Sequence, residues 1–180
     1  MTRRARSSRI SMLAALVAAL AQLSAGSAAG AIGAAPFQGK AAPALTLQTA
    51  QGGSIRLGEY HGRVVLIDFW ASWCAPCKKS FPALDGLSHE FQSRGLAVLA
   101  VNLDERRKDA DQFLAAYPHT MMVLFDPTGA APKAFGVQGM PTSFLIDRSG
   151  MIRFTHMGYS GNVAEQYRRE IVLLLSEPQP

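Results

Sequence analysis

A chain of 180 residues is long enough for one domain with a self-sufficient core and a short appendage. With 48% hydrophobic and 17% charged residues, its composition excludes extensive disorder, and the lack of long, highly apolar runs excludes a polytopic membrane protein. The net charge of +5 suggests a polyanion partner until the basic residues are located: four of the 18 are Arg3, Arg4, Arg6 and Arg9, and the other 14 face 13 acids. No single-sign field remains beyond the first residues, so no nucleic-acid partner is expected.

Residues 1–31 have the layout of a secretory signal peptide: an arginine-rich start, an uncharged Ala- and Leu-rich stretch, then small residues from Ser24 to Ala31. The strongly apolar part, Met12 to Leu23, is 12 residues, against about 20 needed to cross a bilayer. Cleavage is therefore expected, with an uncleaved N-terminal anchor as the alternative; membrane contact is expected only in that second case. Arg3-Arg4 lacks the apolar residues that follow a twin-arginine pair, and no cysteine is present for lipid attachment.

Residues 32–43, with Gly33, Pro36, Gly39 and Pro43, read as a linker, and residues 44–180 as the domain. Strands at 44–47 and 54–57 around Gly52-Gly53 predict a hairpin. Residues 64–70 form a buried strand. A helix is expected from about the second cysteine toward Arg94, with Phe81, Leu84, Leu87 and Phe91 on one face and a kink at Pro82. A strand at 96–102, an amphipathic helix at 107–117, a strand at 122–125 and a short helix at 130–135 follow. The mixed charges of 105–111 read as a solvated helix face. Strands 142–147 and 151–156 around Arg148-Ser149-Gly150 predict a hairpin, and Asn162 is placed to cap a last helix at 163–175, stopped by Pro178. This alternation predicts an α/β fold with a mixed sheet.

An exported chain normally carries several paired cysteines as staples. This one has two, Cys74 and Cys77, and a loop so small restricts the unfolded chain little, so the pair is there for chemistry. The run Trp70-Ala71-Ser72-Trp73-Cys74-Ala75-Pro76-Cys77-Lys78-Lys79 follows a strand and opens a helix. At a helix start, unpaired N–H groups and the helix dipole favour a thiolate, which makes Cys74 the attacking sulfur. Cys77, one turn on and more enclosed, is placed to resolve the mixed disulfide. Pro76 suits the first turn and fixes the sulfur spacing. Trp70 and Trp73 bracket the motif and are read as shaping the surface around the thiol. With no second cysteine pair, and His61, His89, His119 and His156 scattered, no metal site is expected. The expected redox group is the Cys74/Cys77 disulfide itself, with no other cofactor.

From Val64 onward the sequence resembles the thioredoxin superfamily, and within it the extracytoplasmic TlpA/ResA-like disulfide reductases. Two segments carry the resemblance: Asp68-Phe69-Trp70-Ala71-Ser72-Trp73-Cys74-Ala75-Pro76-Cys77-Lys78, and Phe135-Gly136-Val137-Gln138-Gly139-Met140-Pro141-Thr142. The resemblance implies a thioredoxin-like fold with flanking helices and an inserted helix-strand unit at 105–126, to which the hairpin read at 44–57 is added at the N-terminal side. It implies a cis bond before Pro141, with Met140 beside the sulfurs to pair with an extended substrate. It also implies that Asp68 takes the proton from Cys77; the competing reading is a strand-end Asp that binds backbone. Cytochrome-maturation relatives carry a glutamate where this chain has Ser80, which weakens assignment to haem-protein assembly.

The function expected is reduction of disulfides in exported protein clients in the periplasm, with electrons from a membrane-bound donor. A disulfide oxidase or isomerase shares the chemistry. A thiol peroxidase of the peroxiredoxin class would need a threonine and a proline upstream of its cysteine, where this chain has Trp70 and Ala71. A non-enzymatic thioredoxin-fold binding module is the remaining alternative.

Overall fold

The computed structural model describes residues 38–179. The expected signal segment at 1–31 and the first half of the expected linker, 32–37, lie outside the described residues.

Among the described residues seven strands form one mixed sheet: β1 (Thr46–Thr49), β2 (Ser54–Arg56), β3 (Val64–Trp70), β4 (Leu96–Asn102), β5 (Met122–Phe125), β6 (Thr142–Ile146) and β7 (Ile152–Met157), in the order β2-β1-β5-β4-β3-β6-β7. Strands β3, β4 and β5 run parallel, joined by α1 (Ala75–Phe91) and α2 (Arg107–Ala116). The short α3 (Ala130–Ala134) precedes β6, which pairs antiparallel with β3, and α4 (Val163–Ser176) closes the chain after the β6–β7 hairpin.

Every residue of β3 and β4 is buried, because helices or loops cover both faces of the sheet centre. Alternation along β3 divides the core. Val64, Leu66 and Trp70 pack with Cys77, Phe81 and Leu84 of α1, Phe113 of α2 and Tyr167 and Ile171 of α4. Val65, Ile67 and Phe69 pack on the other side with Leu47, Leu57, Ala131 and Phe135. Asp68 falls on the first face, between Leu66 and Trp70.

The segment 105–126 provides α2 and β5, as the resemblance implies. Its strand has a structural consequence: β5 pairs with β4 on one side and antiparallel with β1 on the other, through Gln48↔Phe125 and Thr49↔Leu124, so the N-terminal hairpin joins the sheet through the inserted unit.

Three local expectations change. The linker expected at 32–43 is docked over its described part: Ala41 bridges Met151, Gly39 N–H donates to the Ile152 carbonyl at 2.7 Å, and Ile152 N–H to that of Lys40 at 2.8 Å. Backbone pairing, invisible to composition, thus extends the ordered unit to before Ala44. Trp70, expected at the surface around the thiol, is fully buried, its ring 5.0 Å from that of Phe81 and 4.7 Å from that of Phe113. It continues the even-numbered inward face of β3. Asn162 stands at the N-cap of α4 but its side chain makes no cap bond there. The helix expected from about Cys77 toward Arg94 is α1, which begins at Ala75 and passes after Phe91 into a tighter turn ended by Gly95 at φ 105°.

Phe81 joins Trp70, Phe113 and Tyr117 in one aromatic cluster under α1. Phe81→Ala is expected to cost about 3–5 kcal/mol of stability. Urea unfolding of the oxidised protein measures it, and a loss below about 1 kcal/mol would contradict this packing.

Candidate active site

The C-terminal end of β3 runs directly into the two-cysteine helix. Leu103 N–H donates to the Trp70 carbonyl (2.9 Å), and the chain then turns, with Cys74 N–H bonded to the Ala71 carbonyl at 3.1 Å. Asp104, 8% exposed, fixes this turn from the neighbouring strand end. Its carboxylate accepts from Ser72 N–H at 3.0 and 3.2 Å, from Ser72 Oγ at 2.9 Å and from Asn102 Nδ2 at 2.7 Å. An ionised carboxylate that accepts several donors holds a loop firmly. Sequence reasoning missed Asp104 and Asn102; an Asn-x-Asp run at a strand end has no distinguishing signal, since its partner Ser72 is 32 residues away.

Cys74 is the N-cap of α1, and its Sγ accepts the Cys77 N–H at 3.2 Å. Cys74 and Cys77 are disulfide-bonded. Pro76 occupies the first turn, where a missing N–H costs nothing, and no acidic residue lies there to oppose a thiolate. The two sulfurs differ in access. Cys74, though only 5% exposed, lines a groove with Trp73, Pro76, Val137 and Met140, whereas Cys77 is fully buried and lines none of it. Trp73, 69% exposed, presents most of its ring to solvent.

The Met140–Pro141 peptide bond is cis. The loop is anchored on both sides of Met140: Thr142 Oγ1 donates to the Gly139 carbonyl at 2.6 Å and Gly158 N–H to the Pro141 carbonyl at 2.8 Å. The structure therefore brings Trp73, Pro76 and Met140 to one groove beside Cys74, with Pro141 buried behind it.

Asp68 is 1% exposed, on the β3 face that packs against Cys77 and Tyr167. Its Oδ1 accepts a hydrogen bond from Ser143 Oγ, and its Oδ2 is buried without a partner. Burial pushes its carboxyl up from the ordinary 3.8 to about 7, the Ser143 bond pulling the other way. The competing reading of Asp68 as a backbone-binding strand-end residue finds no such bond, since Oδ1 is held by a side chain. Ser143 and Tyr167, whose hydroxyls lie 2.7 Å apart, also escaped sequence reasoning. They read as ordinary strand and helix residues and meet Asp68 only in the fold. Ser80 is buried and donates to the Cys77 carbonyl at 3.1 Å. Among the described residues, no group of three or more His, Cys, Asp or Glu side chains is placed to hold a metal ion, and no helix is long and apolar enough to cross a membrane.

The sequence profile of the AhpC/TSA family matches residues 38–155. A thiol-disulfide oxidoreductase ResA of Geobacillus thermodenitrificans is 33% identical over 115 residues, 64% of this chain and 66% of that protein. The thioredoxin-like protein YneN of Bacillus subtilis is 35% identical over 124 residues, 67% of this chain and 72% of its own. Among solved structures, a Chlorobium tepidum protein assigned as a thiol:disulfide interchange protein DsbE superposes with a TM-score of 0.74 at 42% identity, covering 77% of this chain and 98% of that one.

The raised Asp68 carboxyl has a consequence for stability. The unfolded chain holds that proton only below about pH 4 and the folded protein up to about pH 7. Within this window the folded state binds more protons, so stability falls as pH rises from 4 to 7 and the loss is complete above 7. Asp68→Asn removes this dependence. Relative to the parent, the variant is expected to gain on the order of 4 kcal/mol between pH 4 and pH 8. Urea unfolding of both oxidised proteins across pH measures the difference, and parallel curves would contradict it.

Proposed function

This chain belongs to the AhpC/TSA family as a thioredoxin-like thiol:disulfide oxidoreductase, and from that premise we propose that it reduces disulfides of exported proteins in the cell envelope, drawing electrons from a membrane-bound donor. The observation that carries the reading is the unequal placement of a bonded cysteine pair: Cys74, 5% exposed, lines an apolar groove at a helix start, and Cys77 is fully buried and does not. The signal-like leader at 1–31 supports the location, and the Ala75-Pro76 pair between the cysteines supports reduction over oxidation.

In the reduced protein Cys74, as a thiolate, attacks one sulfur of a client disulfide. The S–S bond of the client breaks, its second sulfur leaves as a thiolate, and a mixed disulfide forms on Cys74. The groove beside Cys74 receives the client chain, with Met140 aligned along it and Trp73 and Pro76 contributing apolar surface. Cys77 then attacks Cys74 Sγ. Its proton must leave first, and Asp68 on the adjoining strand face accepts it, being ionised in about half of the molecules near pH 7. The remaining client thiolate departs, the client has gained two electrons, and the chain is left with the Cys74–Cys77 disulfide, which the donor reduces. Burial of Cys77 suits this order, since a sealed thiol cannot compete for the first attack.

Cys77→Ser is expected to convert the protein into a covalent trap. Cys74 still attacks, no resolving sulfur follows, and mixed disulfides with clients persist in envelope extracts until reductant is added. Mass spectrometry identifies them: assorted exported proteins would support general reduction, and apocytochromes alone would redirect the reading to haem-protein assembly despite Ser80. Failure to form reductant-sensitive adducts that are also missing from the Cys74→Ser, Cys77→Ser double variant would overturn the assignment of Cys74 as the attacking residue.

A further inference from the structure

Asp68 does not stand alone in the core. On β6, Ser143 lies directly opposite it in the antiparallel register, and on α4 Tyr167, 1% exposed, reaches the same point from the helix layer. Ser143 Oγ donates to Asp68 Oδ1 and lies 2.7 Å from Tyr167 Oη. A serine hydroxyl has one proton. With Asp68 ionised that proton is given to Oδ1, so Ser143 accepts from Tyr167 and the chain then has a single sense: Tyr167 to Ser143 to Asp68.

We infer that Ser143 and Tyr167 are positioning residues for the exchange reaction, their hydroxyls in series holding Oδ1 of Asp68 as a permanent acceptor and reserving Oδ2 for the proton of Cys77. The inference rests on the proposed role of Asp68 as that proton's acceptor. One observation and two consequences of the hydrogen-bond geometry carry it. Oδ2 is buried and unpartnered, a costly arrangement unless a proton donor is meant to meet it. The hydroxyl chain works in both charge states, since a carboxylate and the carbonyl oxygen of a carboxylic acid both accept from Ser143. No hydroxyl need turn as the proton arrives and leaves, so the transfer changes one oxygen only.

The proton balance is simple. Cys77 loses its proton to Oδ2, its sulfur forms the bond to Cys74 Sγ, and the client sulfur leaves with the electron pair of the broken mixed disulfide. Asp68 ends neutral, still accepting from Ser143.

The groups around Asp68 leave few rivals for its control. Strand β4 places Ala100 opposite it. From α1 comes Cys77, and from α4 Tyr167, whose phenol is pushed far up by burial and by the Asp68 charge. Behind Tyr167, His156 of β7 pairs with Glu170 at 2.6 Å and stands edge-on to the Tyr167 ring at 4.8 Å. That hydrogen-bonded pair flanks the chain, His156 standing directly opposite Ser143 in the β6–β7 register.

The test mixes reduced protein with an aromatic disulfide that releases a coloured thiol, across pH. The first release reports attack by Cys74 and the second reports resolution by Cys77. Ser143→Ala should raise the pH midpoint of the second release by about one unit, because the ionised carboxylate loses a charge-assisted donor. The first release should be unchanged. Tyr167→Phe should shift the midpoint in the same direction by less, since Ser143 still donates. A purely structural role would lower thermal stability in both variants and leave the midpoint in place, and that result overturns the inference. Asp68→Asn separates the two levels: if it abolishes the pH dependence of the second release while Ser143→Ala and Tyr167→Phe leave the midpoint alone, the proton role stands and the positioning role falls. A second release untouched in Asp68→Asn would overturn both.

Discussion

The structure depends on where one strand hands over to one helix. Strand β3 is buried along its whole length, so its end is fixed in space, and Cys74 follows as the N-cap of α1 only four residues later. Asp104 and Ser72 tie the intervening turn to the end of β4. The sulfur therefore sits where the backbone N–H groups of a helix start have no other acceptor, and it already takes the one from Cys77. A charge of this kind is stabilised by groups that do not move, which is what a nucleophile in a shallow groove requires. The second sulfur gains nothing from that location. One turn deeper, it faces the core and must lose its proton before it can act.

The cost of an ionisable group in that core is the second half of the account. A carboxyl at 1% exposure would normally be neutralised or excluded. Here it is kept at the edge of ionisation by one hydroxyl donor against strong desolvation. Its presence weakens the folded state at neutral and alkaline pH, which is hard to reconcile with a purely structural residue and fits one retained for proton transfer. The supporting residues come from three elements far apart in sequence, β3, β6 and α4, so closure of the sheet and docking of the last helix are needed before the site exists.

Much of this was legible in the chain itself. The CxxC run after an apolar strand and the 3- and 4-residue spacing of Phe81, Leu84, Leu87 and Phe91 each predict their element from local pattern, and the segment ending in Met140-Pro141-Thr142 is legible through its resemblance to the thioredoxin superfamily. The sequence-based expectation failed where the determining contact is remote. Trp70 reads as part of the motif because of its neighbours in sequence, but the period of β3 turns it into the helix layer against Phe113, 43 residues on. Asp104, Ser143 and Tyr167 have no local signature, and the docking of residues 39–42 onto 150–152 is a backbone event that composition does not encode. Asn162 shows the converse: a residue type suited to capping stands at the cap position without making the bond.

The two sulfurs divide the labour of exchange, and alkylation of the reduced, folded protein over a range of pH probes that division. Peptide mapping by mass spectrometry should find modification confined to Cys74, with a midpoint below the roughly 8.5 of an ordinary thiol, and Cys77 unreacted until the protein is unfolded. Modification of Cys77 at a comparable rate, or a Cys74 midpoint at or above that of an ordinary thiol, would contradict the account.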